Sequence, residues 1–111
     1  QSLSQSIYLD DTIKKYLTDI VFASRSPQTY NLDHLANLIA YGASPRASLG
    51  LMYAAKATAL LDGRAYVTPD DIKTIAPDIL RHRIIPTYEA QAENISSQEL
   101  INQLLDSIPV P

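Results

Sequence analysis

The feature that most constrains this chain is an alanine- and leucine-rich run over residues 47–61, with apolar side chains on nearly every helical face. Ser44 and Pro45 precede the run as a predicted N-cap and first helical residue, and Gly63 ends it. A helix that is apolar all round has to be buried. The sequence therefore predicts that this helix occupies the centre of the domain, and Gly50 within it predicts a close helix crossing.

Two further helices are predicted before this run. Apolar residues spaced three and four apart predict a helix over about residues 11–24, capped by Asp10 or Asp11. A shorter apolar stretch, over residues 32–41, predicts a helix of two or three turns that Gly42 would end. A proline-containing connection separates the two.

The second half of the chain predicts two more helices and an arm. Thr68 is the predicted cap of a helix that Pro77 should bend or split. Residues 84–94 show no sustained helical period, which favours an extended arm across the surface. Ser96 and Glu99 form a capping box for a final amphipathic helix.

These elements together predict an all-α bundle of four to six helices with an extended C-terminal arm. A chain of 111 residues suits one domain, which should bury roughly 65% of its unfolded surface. Residues 1–6 are polar and unpatterned, so they are predicted to be a disordered or boundary segment preceding a domain over 7–111.

Composition excludes several classes of function. The net charge of −3 is a poor footprint for a nucleic-acid binder, and zero cysteines exclude disulfides and thiolate metal sites. No segment approaches the roughly 20 apolar residues of a membrane span. Three scattered glycines cannot build a phosphate-binding loop, so this chain alone is not expected to cradle a nucleotide.

The sequence contains few residues in patterns that are typical of a catalytic site. His34 and His82 are far apart and neither belongs to a metal-binding spacing, so no metal site is predicted. No nucleophile-elbow motif supports a Ser–His–Asp triad, which leaves an unrecognised hydrolase as a third choice only. Asp70 and Asp71 suit the first turn of a helix better than paired acid–base chemistry. The sequence predicts no catalytic residue.

Arg46 is the residue whose placement predicts a binding function. It falls in the first turn of the predicted central helix, where a cation costs about 0.3 to 1 kcal/mol, and no acid within residues 44–51 offsets it. Free backbone amides and a guanidinium on the same side would suit an anion, most naturally a phosphate. The alternative is an exposed arginine that reaches into water or pairs with an acid from another helix. Local physics leaves both interpretations open.

A second cationic cluster lies at residues 81–83, in the predicted last turn of a helix, where cations complement the negative end of the dipole. The functional alternative is that this cluster and the arm over residues 84–94 contact an adjacent subunit. The residues assigned to such a contact are Arg81, His82, Arg83, Tyr88 and Glu89.

Several ordered strings carry a family resemblance. GASPRA at 42–47, AAKATALLDGRAYVTPDDI at 54–72 and LRHR at 80–83 are similar to segments of the C-terminal lid domain of MoxR-family AAA+ ATPases. IVFASRSP at 20–27, YEAQAE at 88–93 and the closing VP fit the same family. The resemblance extends over nearly the whole of residues 7–111.

This resemblance implies a helical lid that closes over ATP held mostly by an upstream P-loop domain. Arg46 matches the sensor-2 arginine, expected to reach the γ-phosphate, while Ser44 and Pro45 would aim it. Ala43 and Ala47 are small enough to let the adenine or ribose approach. Mg²⁺ is expected in the parent protein, not on this chain, which should have no ATPase activity by itself.

The resulting hypothesis is a cytoplasmic AAA+ lid that senses bound ATP and couples hydrolysis to chaperone-like remodelling or activation of client proteins. Its expected partners are the upstream P-loop domain, the neighbouring subunits of a ring and an unknown client. The alternative is a stand-alone helical module that binds a partner protein through its last helix or its arm.

Overall fold

The structure, a computed structural model, describes residues 7–111, which contain six α-helices, one 3₁₀ segment and a two-stranded sheet. In chain order the elements are α1 (Asp11–Arg25), the 3₁₀ segment (Pro27–Tyr30), α2 (Asp33–Ala36), β1 (Ile39–Tyr41), α3 (Ala47–Leu61), α4 (Pro69–Leu80), β2 (Ile85–Pro86), α5 (Tyr88–Ala92) and α6 (Ser97–Ser107). The prediction of a mostly helical bundle with four to six helices is confirmed. Residues 1–6, predicted as a disordered or boundary segment, lie outside the described residues.

Three helices begin at the caps that the sequence predicts. Asp10 accepts a hydrogen bond from a backbone N–H in the first turn of α1. Thr68 and Asp71 form a reciprocal capping box at α4, and Ser96 accepts from the backbone N–H of Glu99 at α6. Each cap satisfies a backbone donor that the helix itself leaves without a partner.

Helix α3 begins two residues later than predicted. Ser44 makes no capping hydrogen bond with its side chain, and Arg46 occupies the N-cap position. The first turn closes instead through short-range backbone bonds, in which the N–H of Ala47 donates to the carbonyl of Ser44 at 2.9 Å. The predicted N-cap role of the Ser44 side chain is therefore wrong.

The core of the domain uses only one face of α3. The buried residues of this helix are Ala47, Leu51, Ala55 and Ala59. Its large exposed apolar residues are Leu49, Tyr53, Leu60 and Leu61. The prediction that α3 is buried on nearly all sides is therefore wrong. A stripe made mostly of alanines lets α1 and α4 approach closely, and the bulkier side chains remain outside.

Of the two glycines within and after α3, Gly63 ends the helix as the sequence predicts, whereas Gly50 does not mark an unusually close crossing. Gly63 has a left-handed backbone (φ +75°), and the next amide, that of Arg64, bonds back to the carbonyl of Ala59 at 2.9 Å. This is the geometry of a Schellman end. A methyl group added at Gly50 would lie 3.6 Å from the Ile79 side chain of α4, an ordinary contact distance, so the packing of the two helices does not require a glycine there.

The sheet replaces the helix predicted over 32–41. Only the four residues of α2 are helical there, and β1 pairs antiparallel with β2, with Ile39 opposite Pro86. The same pairing changes the predicted arm at 84–94, which forms a short strand and then the five-residue helix α5. Thr87 caps α5 and also bonds the carbonyl of Asn37 at 2.9 Å. Partners about 45 residues away in sequence decide both structures, which is why local pattern misses them.

Helix α4 continues through Pro77 as a single helix, so the predicted split does not occur. Pro77 lies in the last turn, where its missing N–H removes only one hydrogen bond shortly before the helix ends. Among the described residues, no helix combines the length and apolar character required to cross a bilayer.

Candidate functional site

The Arg46 side chain is exposed at the N-terminal end of α3. Within residues 7–111 its guanidinium makes no ion pair and no hydrogen bond. Nothing in this part of the chain therefore neutralises a cation placed at the positive end of the helix dipole.

The amides around Arg46 are less available than the sequence suggests. The N–H groups of Ala47 and Ser48 already donate to the carbonyls of Ser44 and Pro45, at 2.9 and 3.1 Å. In this described segment, the N–H groups of the first turn are therefore not free to bind an anion. The guanidinium, rather than the backbone, is the group here that can bind an anion.

The four residues predicted to assist Arg46 divide into two pairs. Ser44 and Pro45 are exposed beside it. Ala43 and Ala47 are only 1% and 3% exposed, so their methyl groups pack into the core. Their burial supports a role in anchoring this segment and gives no support to direct contact with an adenine or ribose.

A second arginine, Arg64, lies beyond the C-terminal end of α3 and is fully engaged. Its guanidinium forms a bidentate pair with Asp71, at 2.7 and 2.8 Å, and its Nε donates to Asp62 at 2.9 Å. It also donates to the carbonyl of Tyr66 at 3.1 Å. Asp71 is almost fully buried, so this network connects the α3–α4 loop to the start of α4.

Hydrogen bonds explain the shifted titration of this pair. The guanidinium of Arg64 holds the pKa of Asp71 below its usual value, and the backbone N–H of Thr68 adds to the effect against the cost of burial. The hydrogen bonds that Arg64 donates to Asp71 and Asp62 in turn raise the pKa of Arg64. Sequence analysis assigns Asp71 only to the helix start, because no spacing rule connects it to an arginine seven residues earlier.

The cationic cluster at 81–83 follows the last residue of α4. Arg83 donates to the carbonyl of Ile79 at 2.6 Å, which supports the interpretation that cations stabilise this helix end. Arg81 forms an exposed ion pair with Asp78 at 3.0 Å, and His82 is exposed.

Tyr88 and Glu89 are exposed on α5, where the Tyr88 ring is 90% accessible. The fold places Tyr88 beside Tyr41 and Ile85, in a shallow groove next to the sheet. Contact of this region or of residues 81–83 with another subunit stays a prediction.

Comparisons with known proteins agree with this architecture. A family model described as the AAA lid domain matches residues 34–104. The chaperone MoxR1 of Mycobacterium tuberculosis is 39% identical over 111 residues, which are all of this chain and 29% of that protein. The protein MoxR of Paracoccus denitrificans is 35% identical over 105 residues, or 89% of this chain and 31% of that protein.

A solved structure shows the same fold. The crystal structure of a candidate ATPase from Cytophaga hutchinsonii superposes with a TM-score of 0.94 at 42% identity, over 99% of this chain and 33% of that one. The chain thus spans about a third of the length of the proteins it matches. By family model, sequence identity and fold, this chain belongs to the AAA lid domains of the MoxR-family AAA+ ATPases.

Proposed function

We propose that this domain senses bound ATP in its parent ATPase, with Arg46 as the sensor-2 residue that contacts the γ-phosphate. The observation that carries the proposal is the exposed Arg46 guanidinium, which has no ion-pair partner within residues 7–111. A phosphate would supply the negative charge that this end of α3 lacks, and the planar fork of an arginine matches phosphate oxygens.

The surface around Arg46 supports docking against a larger body. Spacing of three and four residues places Leu49, Tyr53 and Leu60 on the same side of α3 as Arg46. Their exposed fractions of 52%, 61% and 39% leave an apolar stripe uncovered, with a gap of one turn between Tyr53 and Leu60. About two thirds of the length of the relatives lies outside the matched region. We propose that the upstream P-loop domain of the parent covers this stripe.

The nucleotide fits this site as a shared ligand only. Arg46 would bind one phosphate group, while the Walker-A lysine, the Walker-B acid and Mg²⁺ would belong to the P-loop domain. Bound ATP would supply the γ-phosphate charge that distinguishes it from ADP. The lid can change position only to the extent that its affinities for the two nucleotide states differ.

Assembly and downstream action are extensions of the same proposal. The exposed side chains of Arg81, His82, Arg83, Tyr88 and Glu89 are the proposed contacts with a neighbouring subunit of a ring. Coupling of hydrolysis to client remodelling is proposed from the name chaperone that MoxR1 carries, and a cytoplasmic location is part of the same proposal. The relatives contain this region as about a third of their length, which favours a lid over a stand-alone interaction module.

The decisive experiment uses the full-length protein that contains this chain. We expect Arg46→Ala to lower the rate of ATP hydrolysis by about tenfold or more and to remove discrimination between ATP and ADP. Lys73→Ala, which removes another exposed cation, is the matched control and should change neither quantity. Unchanged turnover together with unchanged nucleotide affinity in Arg46→Ala would exclude the sensing role.

A further inference from the structure

The direction of the segment that carries Arg46 is not set by a helix cap. Helix α3 has no side-chain cap, and Ser44 and Pro45 are exposed, so none of these groups anchors the segment to the rest of the domain. An arginine that has to reach one phosphate needs a fixed backbone position from which its side chain extends. A different part of the fold must therefore hold the backbone just before Arg46.

Ser24, in the last turn of α1, supplies the polar part of that anchor. Its side chain is 1% exposed, and its Oγ accepts a hydrogen bond from the backbone N–H of Ala43 at 3.0 Å. The same hydroxyl donates to the carbonyl of Val21 at 2.6 Å, which orients its lone pair toward Ala43. The hydroxyl is therefore fully satisfied in a buried position, where an unpaired group would be costly.

Gly42 supplies the steric part of the anchor. A Cβ atom built at Gly42 would overlap the carbonyl group of Ser24 and would come within 2.6 Å of the backbone nitrogen of Arg25. Backbone thus lies directly on backbone at this point, and only a glycine permits so close an approach. The hydrogen bond at Ala43 and the contact at Gly42 hold two successive residues against α1.

Little freedom remains between this anchor and Arg46. Ala43 and Ala47, on either side of the exposed turn, are both buried in the core. Pro45 has a fixed φ angle, and the backbone bond from Ala47 to Ser44 closes the turn between them. A displacement of the Ala43 backbone would therefore also displace the Cα atom of Arg46.

We propose that Ser24 is a positioning residue for Arg46, acting through the Ala43 amide while Gly42 keeps the two backbones in contact. The inference rests on the proposed function of Arg46 and goes beyond it, because it assigns the control of that arginine to the C-terminal turn of α1. It predicts that Ser24 affects hydrolysis only through Arg46.

A double-mutant cycle in the full-length protein tests this dependence. The variants are Ser24→Ala, Arg46→Ala and their combination, each assayed for kcat and KM of ATP hydrolysis and for the midpoint of thermal unfolding. We expect Ser24→Ala to lower kcat about tenfold when Arg46 is present, and to cause no further loss in the Arg46→Ala background. Non-additivity of this kind indicates that two residues act as a unit.

A matched control separates positioning from loss of stability. Thr68→Ala removes the hydroxyl that caps α4, away from Arg46, and it should lower the unfolding midpoint without changing kcat. If Ser24→Ala does not fold, Ser24→Cys keeps the shape of the side chain with a somewhat larger atom and weakens the hydrogen bond. It should then show the same dependence on Arg46.

Three results would overturn the inference. Equal losses of kcat with and without Arg46 would make Ser24 a structural residue only. An unchanged kcat in Ser24→Ala, beside a strong effect of Arg46→Ala, would show that the anchor does not aim the arginine and would leave the proposed function intact. An unchanged kcat together with an unchanged nucleotide affinity in Arg46→Ala would instead remove the proposed function and the role of Ser24 with it.

Discussion

The two ends of α3 each carry an arginine, and the two environments differ in almost every respect. Arg46 is exposed at the N-terminal end and has no ion-pair partner within the described residues. Arg64, just past the C-terminal end, contacts two carboxylates and a carbonyl. One end of the helix keeps a cation available, whereas the other uses its cation to hold a loop.

The helix dipole makes this difference instructive. A cation is unfavourable at the N-terminal end of a helix and favourable at the C-terminal end. Arg64 lies at the favourable end and is in addition surrounded by acids, so its position is explained by stability alone. Arg46 lies at the unfavourable end with no ion pair within residues 7–111. Stability of the lid does not explain Arg46, and an external anion is the explanation that we propose.

The anchors of the two ends also differ in kind. The C-terminal end depends on ion pairs and on the capping box of Thr68 and Asp71. The N-terminal end depends on close backbone packing between Gly42 and α1. Substitutions at each end should therefore show different costs and different responses to pH.

The largest expected effect comes from Gly42→Ala. The added methyl group would overlap backbone atoms of Ser24, which cannot rotate away, so the variant should lose about 3 kcal/mol of unfolding free energy. Chemical denaturation of the chain measures this loss. A change below about 0.5 kcal/mol is the usual range for a surface substitution. Such a result would show that the backbone at Gly42 does not pack tightly against α1.

The next effect comes from Asp71→Asn at the opposite end. This change removes the charge that binds Arg64, and because that arginine is partly exposed to water we expect a loss of about 2 kcal/mol at neutral pH. Denaturation midpoints of the two proteins at pH 7 measure it. Equal midpoints would mean that the ion-pair network contributes nothing to this end.

The same pair predicts a pH dependence. The folded-state pKa of Asp71 is lowered by Arg64, so its stabilising contribution is fully present above the unfolded pKa and is lost as pH falls through the folded pKa. The stability difference between the native chain and Asp71→Asn should therefore be constant near neutrality and shrink below about pH 4. A difference that stays constant to the lowest accessible pH would contradict the ion pair as its source.

A smaller effect of opposite sign is expected at Gly50. A methyl group there meets only Ile79, at an ordinary contact distance of 3.6 Å. Gly50→Ala should therefore stabilise the chain by about 0.5 to 1 kcal/mol through better helix propensity. Thermal unfolding checks the sign, and it provides the control for Gly42→Ala, since both changes add one methyl group.

The smallest effect on stability is expected at Arg46 itself. Without an ion pair to lose, Arg46→Ala should change the unfolding free energy of the chain by no more than about 0.5 kcal/mol. If this variant unfolds like the native chain while the full-length protein loses ATP hydrolysis, Arg46 serves function and Arg64 serves stability. A large loss of stability would give Arg46 the same structural role as Arg64.

Local sequence rules correctly predicted helix caps and failed where distant partners decide. Asp10, Thr68 and Ser96 cap their helices because each bonds an amide only two or three residues ahead. Ser44 does not, since its segment lies against α1 and closes by backbone bonds instead. The strand at Ile39–Tyr41 could not be predicted from local sequence either, because it forms only through its pairing with β2.

The site shows the same division. Arg46 could be singled out from the sequence alone, because an uncompensated cation in a first helical turn is visible in the local pattern. The anchor at Ser24 could not, because a serine near the end of an amphipathic helix has no distinguishing spacing. The pairing of Arg64 with Asp71 was missed for a related reason, since it depends on how residues 65–70 fold between the two side chains.

The amino-acid order by itself determined the helical class of this domain, the position of most of its caps and the one arginine that lacks local compensation. These properties depend on residues within about one helical turn of each other. Tertiary structure alone decided which face of α3 is buried, where the chain forms strands and what holds Arg46 in place. Contacts between α1 and the Gly42–Ala43 backbone join residues 17 to 19 positions apart, and no local periodicity encodes such a distance.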